Sequence, residues 1–265
     1  MSGRQPAAVN FCLTEFARHG GLTGPHSDGW GIVYYDEDGA VRLFKEAEPA
    51  SNSEWVRFIE NHHLRSATIL SHIRRATRGR RTLKNTQPFR RELGGRCHVF
   101  AHNGDIPSIL NDPRFHLGFH RPLGETDSEY AFCALLGRLQ DLWLATSEVP
   151  ALVERFAIVT EFAHRMRELG MANFIYADSD AVFVHGNERR ASPAAPPRPP
   201  GLYLLERDIQ PGTTGFITGG LKINSPSTSQ AMVMAASVPL TSEAWKPLKS
   251  GELLALRQGR VAARA

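Results

Sequence analysis

Long apolar runs are missing from this 265-residue chain, as are the signatures of several large enzyme classes. No stretch approaches the length needed to cross a bilayer, which argues against a membrane role. The opening residues MSGRQPAAVNFC carry no apolar core of a signal peptide. Cysteine is scarce: Cys12, Cys97 and Cys133 stand far apart, odd in number and without a C-x-x-C pair. That usage fits a reducing, cytoplasmic setting and excludes a disulfide framework or zinc ribbon. Neither a G-x-x-x-x-G-K-[ST] phosphate loop nor a G-x-G-x-x-G turn occurs, and no G-x-S-x-G elbow supports a serine triad. Metal ligands are poorly arranged too. Of 11 histidines, only His62-His63 and His116-x-x-x-His120 come close together. His98 and His102, four apart on a strand, are too distant for one metal, and no acidic residue supplies a third ligand. Neither a metal nor a cofactor is expected.

What remains is ordinary for a globular protein, with 42% hydrophobic and 22% charged residues. No composition break demands a second domain, so residues 1–265 are expected to form one. The proline-dominated stretch 191–201 reads as a surface loop. The net charge of +4 is unevenly placed. Arg74, Arg75, Arg78, Arg80, Arg81, Lys84, Arg90 and Arg91 crowd one segment almost without carboxylates. Such a run suits an anionic substrate or a solvated loop. Without interleaved aromatics or a helix-turn-helix pattern, it does not point to nucleic acid.

Along the chain, Val9 to His19 reads as a short helix stopped at Gly20-Gly21. Ile32–Tyr35 and Val41–Lys45 read as a hairpin, preceded by His26-Ser27-Asp28-Gly29-Trp30-Gly31. Ser51-Asn52-Ser53 can cap a helix bearing Trp55, Phe58 and Ile59. Ala67–Ile73 and Cys97–Ala101 are buried-type strands. Thr126-x-x-Glu129 is a capping box ahead of a helix carrying Phe132, Leu135, Leu136 and Leu139. A second helix starts near Pro150, and strands follow at Asn173–Ala177, Ala181–His185, Leu202–Leu205, Ala231–Ala236 and Glu252–Leu256. Many strands with helices inserted in blocks predict an α+β domain with mainly antiparallel pairing.

Three short segments could carry chemistry. His102-Asn103-Gly104 ends an apolar run and could present two donors to an oxyanion. Asn-Gly is also the strongest short hairpin signal, so on turn chemistry alone it reads as a strand-ending turn. Arg74 follows a buried strand and could pair bidentately with a carboxylate, or be one surface arginine among many. Asp127 lies in the first turn of a helix, where it could grip an ammonium group or merely complement the dipole.

Taken together, Ser71-His72-Ile73-Arg74-Arg75-Ala76-Thr77-Arg78-Gly79, His102-Asn103-Gly104 and Glu125-Thr126-Asp127-Ser128-Glu129 resemble the class II glutamine amidotransferases of the N-terminal-nucleophile hydrolase superfamily. Asp28-Gly29-Trp30-Gly31-Ile32, Ser237–Thr241 to Trp245 and Gly251–Leu254 are similar to a compact stand-alone subgroup. The resemblance implies a four-layer α/β/β/α sandwich of two antiparallel sheets between helices. It implies that Arg74 binds the glutamine α-carboxylate and Asp127 the α-ammonium, with Thr77 and His102 in the same pocket. Asn103 and Gly104 would be the oxyanion hole, in a motif that is also a strand-ending turn. The substrate would be glutamine or a γ-glutamyl small molecule, and an ammonia-accepting partner protein would complete a transferase.

The family's nucleophile is an N-terminal cysteine whose α-amine, titrating near ~8, serves as base. Here the first residues are Met1-Ser2, and they resemble the second Met-Ser of the subgroup's opening run M-C-x-L-L-G-M-S. The chain is therefore expected to lack the first strand and its nucleophile, and to be inactive as it stands. Cys12 sits in the expected helix and is no convincing replacement; Cys97 and Cys133 read as core residues. Gln87 stands where related enzymes often have histidine, and Arg75 where synthase-linked relatives often have tryptophan. A catalytically silent amino-acid-binding or scaffold module is the alternative.

Overall fold

Strand alternation decides which way each side chain faces, and three apolar layers follow from it. The computed structural model describes residues 1–11, 26–62, 64–190, 194–210, 216–218, 221–224 and 229–265. Strands β1 (Ser2–Phe11), β2 (Trp30–Tyr35), β3 (Val41–Glu46), β4 (Arg65–Ile73), β9 (Tyr203–Ile209), β12 (Gln230–Ala236) and β13 (Lys246–Pro247) make one sheet in the order β13-β9-β12-β1-β4-β2-β3. The short pair β10 (Phe216–Thr218) and β11 (Leu221–Asn224) joins it through β1. A second sheet, β15-β14-β8-β7-β6-β5, uses β5 (Phe89–Leu93), β6 (Arg96–Asp105), β7 (Met171–Ala177), β8 (Val182–Gly186), β14 (Glu252–Arg257) and β15 (Arg260–Arg264). Every pairing among these described strands is antiparallel.

Val33 and Leu70 of the first sheet meet Val99, Ala177, Val184 and Leu254 of the second in the space between the sheets. Their neighbours Ile32, Tyr34 and Ile69 point the other way, onto helix α1 (Glu54–His62) through Val56 and Ile59. Phe100 and Phe174 point outward from the second sheet onto α2 (Asp127–Leu144) and α3 (Leu152–Arg167), meeting Phe132, Leu136 and Phe162. The result is the helix–sheet–sheet–helix sandwich that the family resemblance implied.

The expected caps form. Ser53 Oγ accepts the Val56 N–H at 3.2 Å, and Thr126 Oγ1 accepts the Glu129 N–H at 3.2 Å. Glu129 does not close the box on Thr126; its carboxylate takes the N–H groups of Leu123 and Gly124 and pairs with Arg91. The start of the chain differs from expectation. Val9–Phe11 is strand, and residues 12–19 of the expected helix lie outside the described residues. A first strand is present, set between β12 and β4, with the Met1 amine donating to the Ile69 carbonyl at 2.8 Å. Partners on both sides turned Ser2–Phe11 into strand, a long-range effect that local spacing does not carry. Among the described residues, no helix is long and apolar enough to cross a membrane.

Candidate functional site

Two strands from different sheets bring the candidate residues together at one end of the sandwich. On β4, Leu70 faces the inter-sheet space, so alternation turns His72 and Arg74 toward the second sheet. On β6, Val99 and Ala101 face back, and Asn103 and Asp105 continue that side. His72 lies close enough to His102 and Arg74 to be influenced by both; burial, the dominant effect, holds its pKa down at about 3. Its Nδ1 is buried and accepts no hydrogen bond among the described residues.

The Arg74 side chain is only 3% exposed, and its guanidinium is wrapped by its own loop. Nη2 donates to the carbonyls of Arg78 and Gly79 at 2.9 and 3.2 Å, and Nη1 to those of Arg80 and Asp28 at 3.2 and 3.4 Å. Four carbonyls, three of them from residues 78–80, thus close around one cation. Asn85 extends the clamp, donating to the Arg80 carbonyl at 2.9 Å and accepting the Glu125 N–H at 2.9 Å. That bridge ties the arginine loop to the N-terminus of α2. The arginine-rich run is therefore one buried anchor and a rim that is paired in part. Arg81 meets Glu48 at 3.1 Å and Lys84 meets Glu125 at 3.1 Å, while Thr77 and Arg78 are exposed.

Asp127, 4% exposed, faces the end of β6: its Oδ2 accepts the Ile106 N–H at 2.8 Å, and its Oδ1 the Ser128 N–H at 2.8 Å. His102 lies beneath, its Nδ1 2.9 Å from Ser128 Oγ and its Nε2 3.2 Å from the Met171 carbonyl. The carbonyl can only accept, so Nε2 carries the proton and Nδ1 accepts from Ser128. Both ring nitrogens are committed to protein groups.

The His-Asn-Gly segment is not a turn. Asn103 pairs with Asn173 and Gly104 with Ala172 in regular antiparallel register, and β6 runs on to Asp105. Glycine is required at 104 for a different reason: an added Cβ would sit 1.8 Å from the Met171 carbonyl oxygen and 2.4 Å from His102 Nε2. Two partners unforeseen in the sequence fix Asn103. Its Nδ2 donates to Ser237 Oγ at 3.0 Å, just past β12, and its carbonyl accepts Asn173 Nδ2 at 2.9 Å. A buried asparagine amid the apolar residues of β7 was the available signal for the second; the first joins residues with no local relationship.

Two surface hollows are present, one of about 560 Å³ lined by Asp112, His116 and Arg121, and one of about 460 Å³ lined by Arg167, Asn187 and Met171, the residue whose carbonyl meets His102. Among the described residues, no group of His, Cys, Asp and Glu could hold a metal ion.

The family model of the class-II glutamine amidotransferases matches residues 1–265. The Escherichia coli (strain K12) protein YafJ, a glutamine amidotransferase by predicted name, is 34% identical over 261 residues, which are 95% of this chain and 93% of that protein. A crystal structure of a predicted glutamine amidotransferase from Pseudomonas aeruginosa superposes with a TM-score of 0.69 at 29% identity, covering 99% of this chain and 97% of the other. The Bacillus subtilis glutamine phosphoribosylpyrophosphate amidotransferase shares the fold at 14% identity and a TM-score of 0.53, over 94% of this chain and 44% of that one.

Proposed function

The chain belongs to the class-II glutamine amidotransferases, and from that membership we propose that its site cleaves the γ-amide of glutamine, or of another γ-glutamyl compound, through a cysteine thioester. Arg74 receives the α-carboxylate, which replaces the Arg78 and Gly79 carbonyls on Nη2. Asp127 takes the α-ammonium, with the exposed Thr77 at the rim and His102 holding the strand beneath. The observation that carries this reading is Asn103. Its amide has two N–H donors, one held by Ser237, so the other is oriented for the oxyanion beside the Gly104 N–H.

None of the described cysteines is set for attack. Cys97 lies six residues before Asn103 along β6, roughly 20 Å away at strand rise. Cys133 is fully buried in α2, and burial pushes its thiol up to about 11. Cys12 lies outside the described residues. We assign the nucleophile to a cysteine upstream of Met1. The register Ser2↔Thr68, carried on antiparallel, sets the residue five places before Met1 opposite Arg74. In the run M-C-x-L-L-G-M-S, laid on Met1-Ser2, the cysteine falls at that same place. Directly opposed residues share a face, so its thiol would face the second sheet with Arg74.

The free α-amine of that cysteine takes the thiol proton and passes it to the departing ammonia. The thiolate attacks the amide carbon, the oxyanion collapses to a thioester, and water releases glutamate. An ammonia acceptor, where there is one, belongs to a partner protein. Residues 1–265 alone then release no ammonia from glutamine, whereas the form carrying its in-frame upstream codons does, and a thiol reagent abolishes it. Thiol-sensitive ammonia release by residues 1–265 would overturn the assignment and point to Cys12. A stop codon directly upstream of Met1 would favour a silent amino-acid-binding module.

A further inference from the structure

We propose that the hollow of about 460 Å³ at the end of α3 is a second binding site, which takes a free α-amino acid with an apolar side chain. Its charged groups are ones that neither the motifs nor the proposed amide chemistry employs, and the site stands whether or not that chemistry is correct.

The hollow opens where α3 gives way to β7, and its volume is that of a small-molecule pocket. Arg167 on its wall is a cation set in place without an anion. Its guanidinium lies so close over Gly251, a residue of φ +83°, that a Cβ there would overlap Nη1. No acceptor among the described residues pairs with it. Glu188, on the same wall, has no cation paired to its carboxylate among the described residues. The other acid of the hollow, Glu168, is already engaged by Arg114 at 2.6 Å and His164 at 3.4 Å.

One positive and one negative group are thus left to face a ligand. With Glu168 and Glu188 both on the walls, a dianion such as phosphate is repelled, so the ligand of Arg167 carries its own positive charge. The helix end works in the same direction. The last carbonyls of α3 form the negative end of its dipole, which favours an ammonium. Asn187, 7% exposed, adds a donor for the carboxylate. Its Oδ1 accepts the Ser250 hydroxyl at 2.9 Å, while Nδ2 reaches the Gly170 carbonyl at 3.4 Å and keeps a second N–H free. Leu169, Met171 and Pro197 line the remainder and suit an apolar side chain.

The hollow backs onto the candidate amide site without sharing its residues. The Met171 carbonyl faces His102 Nε2 at 3.2 Å, and Asn173 Nδ2 bridges the carbonyls of Glu188 and Asn103 at 2.7 and 2.9 Å. Arg74, Asn103 and Asp127 do not line it.

The test is calorimetric titration of residues 1–265 with leucine, with 4-methylpentanoate, which lacks the amine, and with 3-methylbutan-1-amine, which lacks the carboxylate. Leucine is expected to bind at least ~10-fold more tightly than either. Arg167→Gln and Glu188→Gln should each weaken leucine by at least ~10-fold, and Arg167→Lys should recover part of the loss. Absence of leucine binding by the unaltered chain would overturn the proposal, as would a half-ligand that binds as tightly as leucine. So would leucine binding unaltered in both glutamine variants, or a loss in Arg167→Gln that Arg167→Lys does not recover. Leucine binding kept in those variants but lost in Asp127→Asn would place leucine in the glutamine site instead.

Discussion

The side-chain amide of Gln87 pairs with both backbone polar groups of His102. Nε2 donates to the carbonyl at 3.1 Å, and Oε1 accepts the N–H at 2.6 Å. Phe89 opposes Phe100 where β5 begins, so the amide stands in for main chain at the next pairing position. Gln87→Ala leaves two buried groups unpaired, at ~1–3 kcal/mol each. Urea unfolding should therefore show a stability loss of about 2–6 kcal/mol with little change in slope. Gln87→His, which keeps one ring nitrogen for one of the two groups, should lose less.

Gly104→Ala tests the close approach of β6 and β7. The new methyl would overlap the Met171 carbonyl and the His102 ring, so the strands must part at the Asn103 end. Stability should fall by ~1–3 kcal/mol. Glutamine binding, measured by calorimetry, should be lost with it, because Asn103 moves along with its neighbour.

Acid should weaken the fold through its buried imidazoles, His98 and His185 as well as His72 in the site. His98 and His185 are fully buried, and burial lowers their pKa to about 3 and about 4. The unfolded chain binds these protons below about pH 6.5 while the folded chain does not, so stability is complete above that pH and declines below it. Each ring contributes a slope of ~1.4 kcal/mol per pH unit between about pH 6.5 and its folded pKa. Denaturant titrations from pH 7 to pH 5 should show the decline, and His185→Gln should remove one ring's share.

Arg155, 1% exposed, holds Asp178 and Asp180 at 2.6 Å each, beneath the β7–β8 turn. Asp178→Ala strands the guanidinium in the core with a single partner. The expected loss is ~3–5 kcal/mol in unfolding free energy. Asp180→Ala, at the wetter end of the fork, should cost less.

Local pattern foretold the elements whose causes are local. Ser53 and Thr126 cap the helices they precede, and the two-residue alternation in Ile32–Tyr35 and Val99–Ala101 gives strands facing two ways. Where the cause was distant, pattern misled. Ser2–Phe11 became strand because β4, β11 and β12 flank it. His102-Asn103-Gly104 reads as a turn by its dipeptide, yet β7 holds it extended.

The sequence by itself determined the family motifs and their order, and with them Arg74, Asn103, Gly104 and Asp127 as candidates. Their identities are chemical and need no neighbours to be read. Only the tertiary structure decided how these residues are held. The Arg78–Arg80 carbonyls on Arg74, Gln87 on His102 and Ser237 on Asn103 follow from strands of two sheets meeting at one end. Hydrogen bonds of that range depend on register and layer spacing, which a linear pattern does not encode.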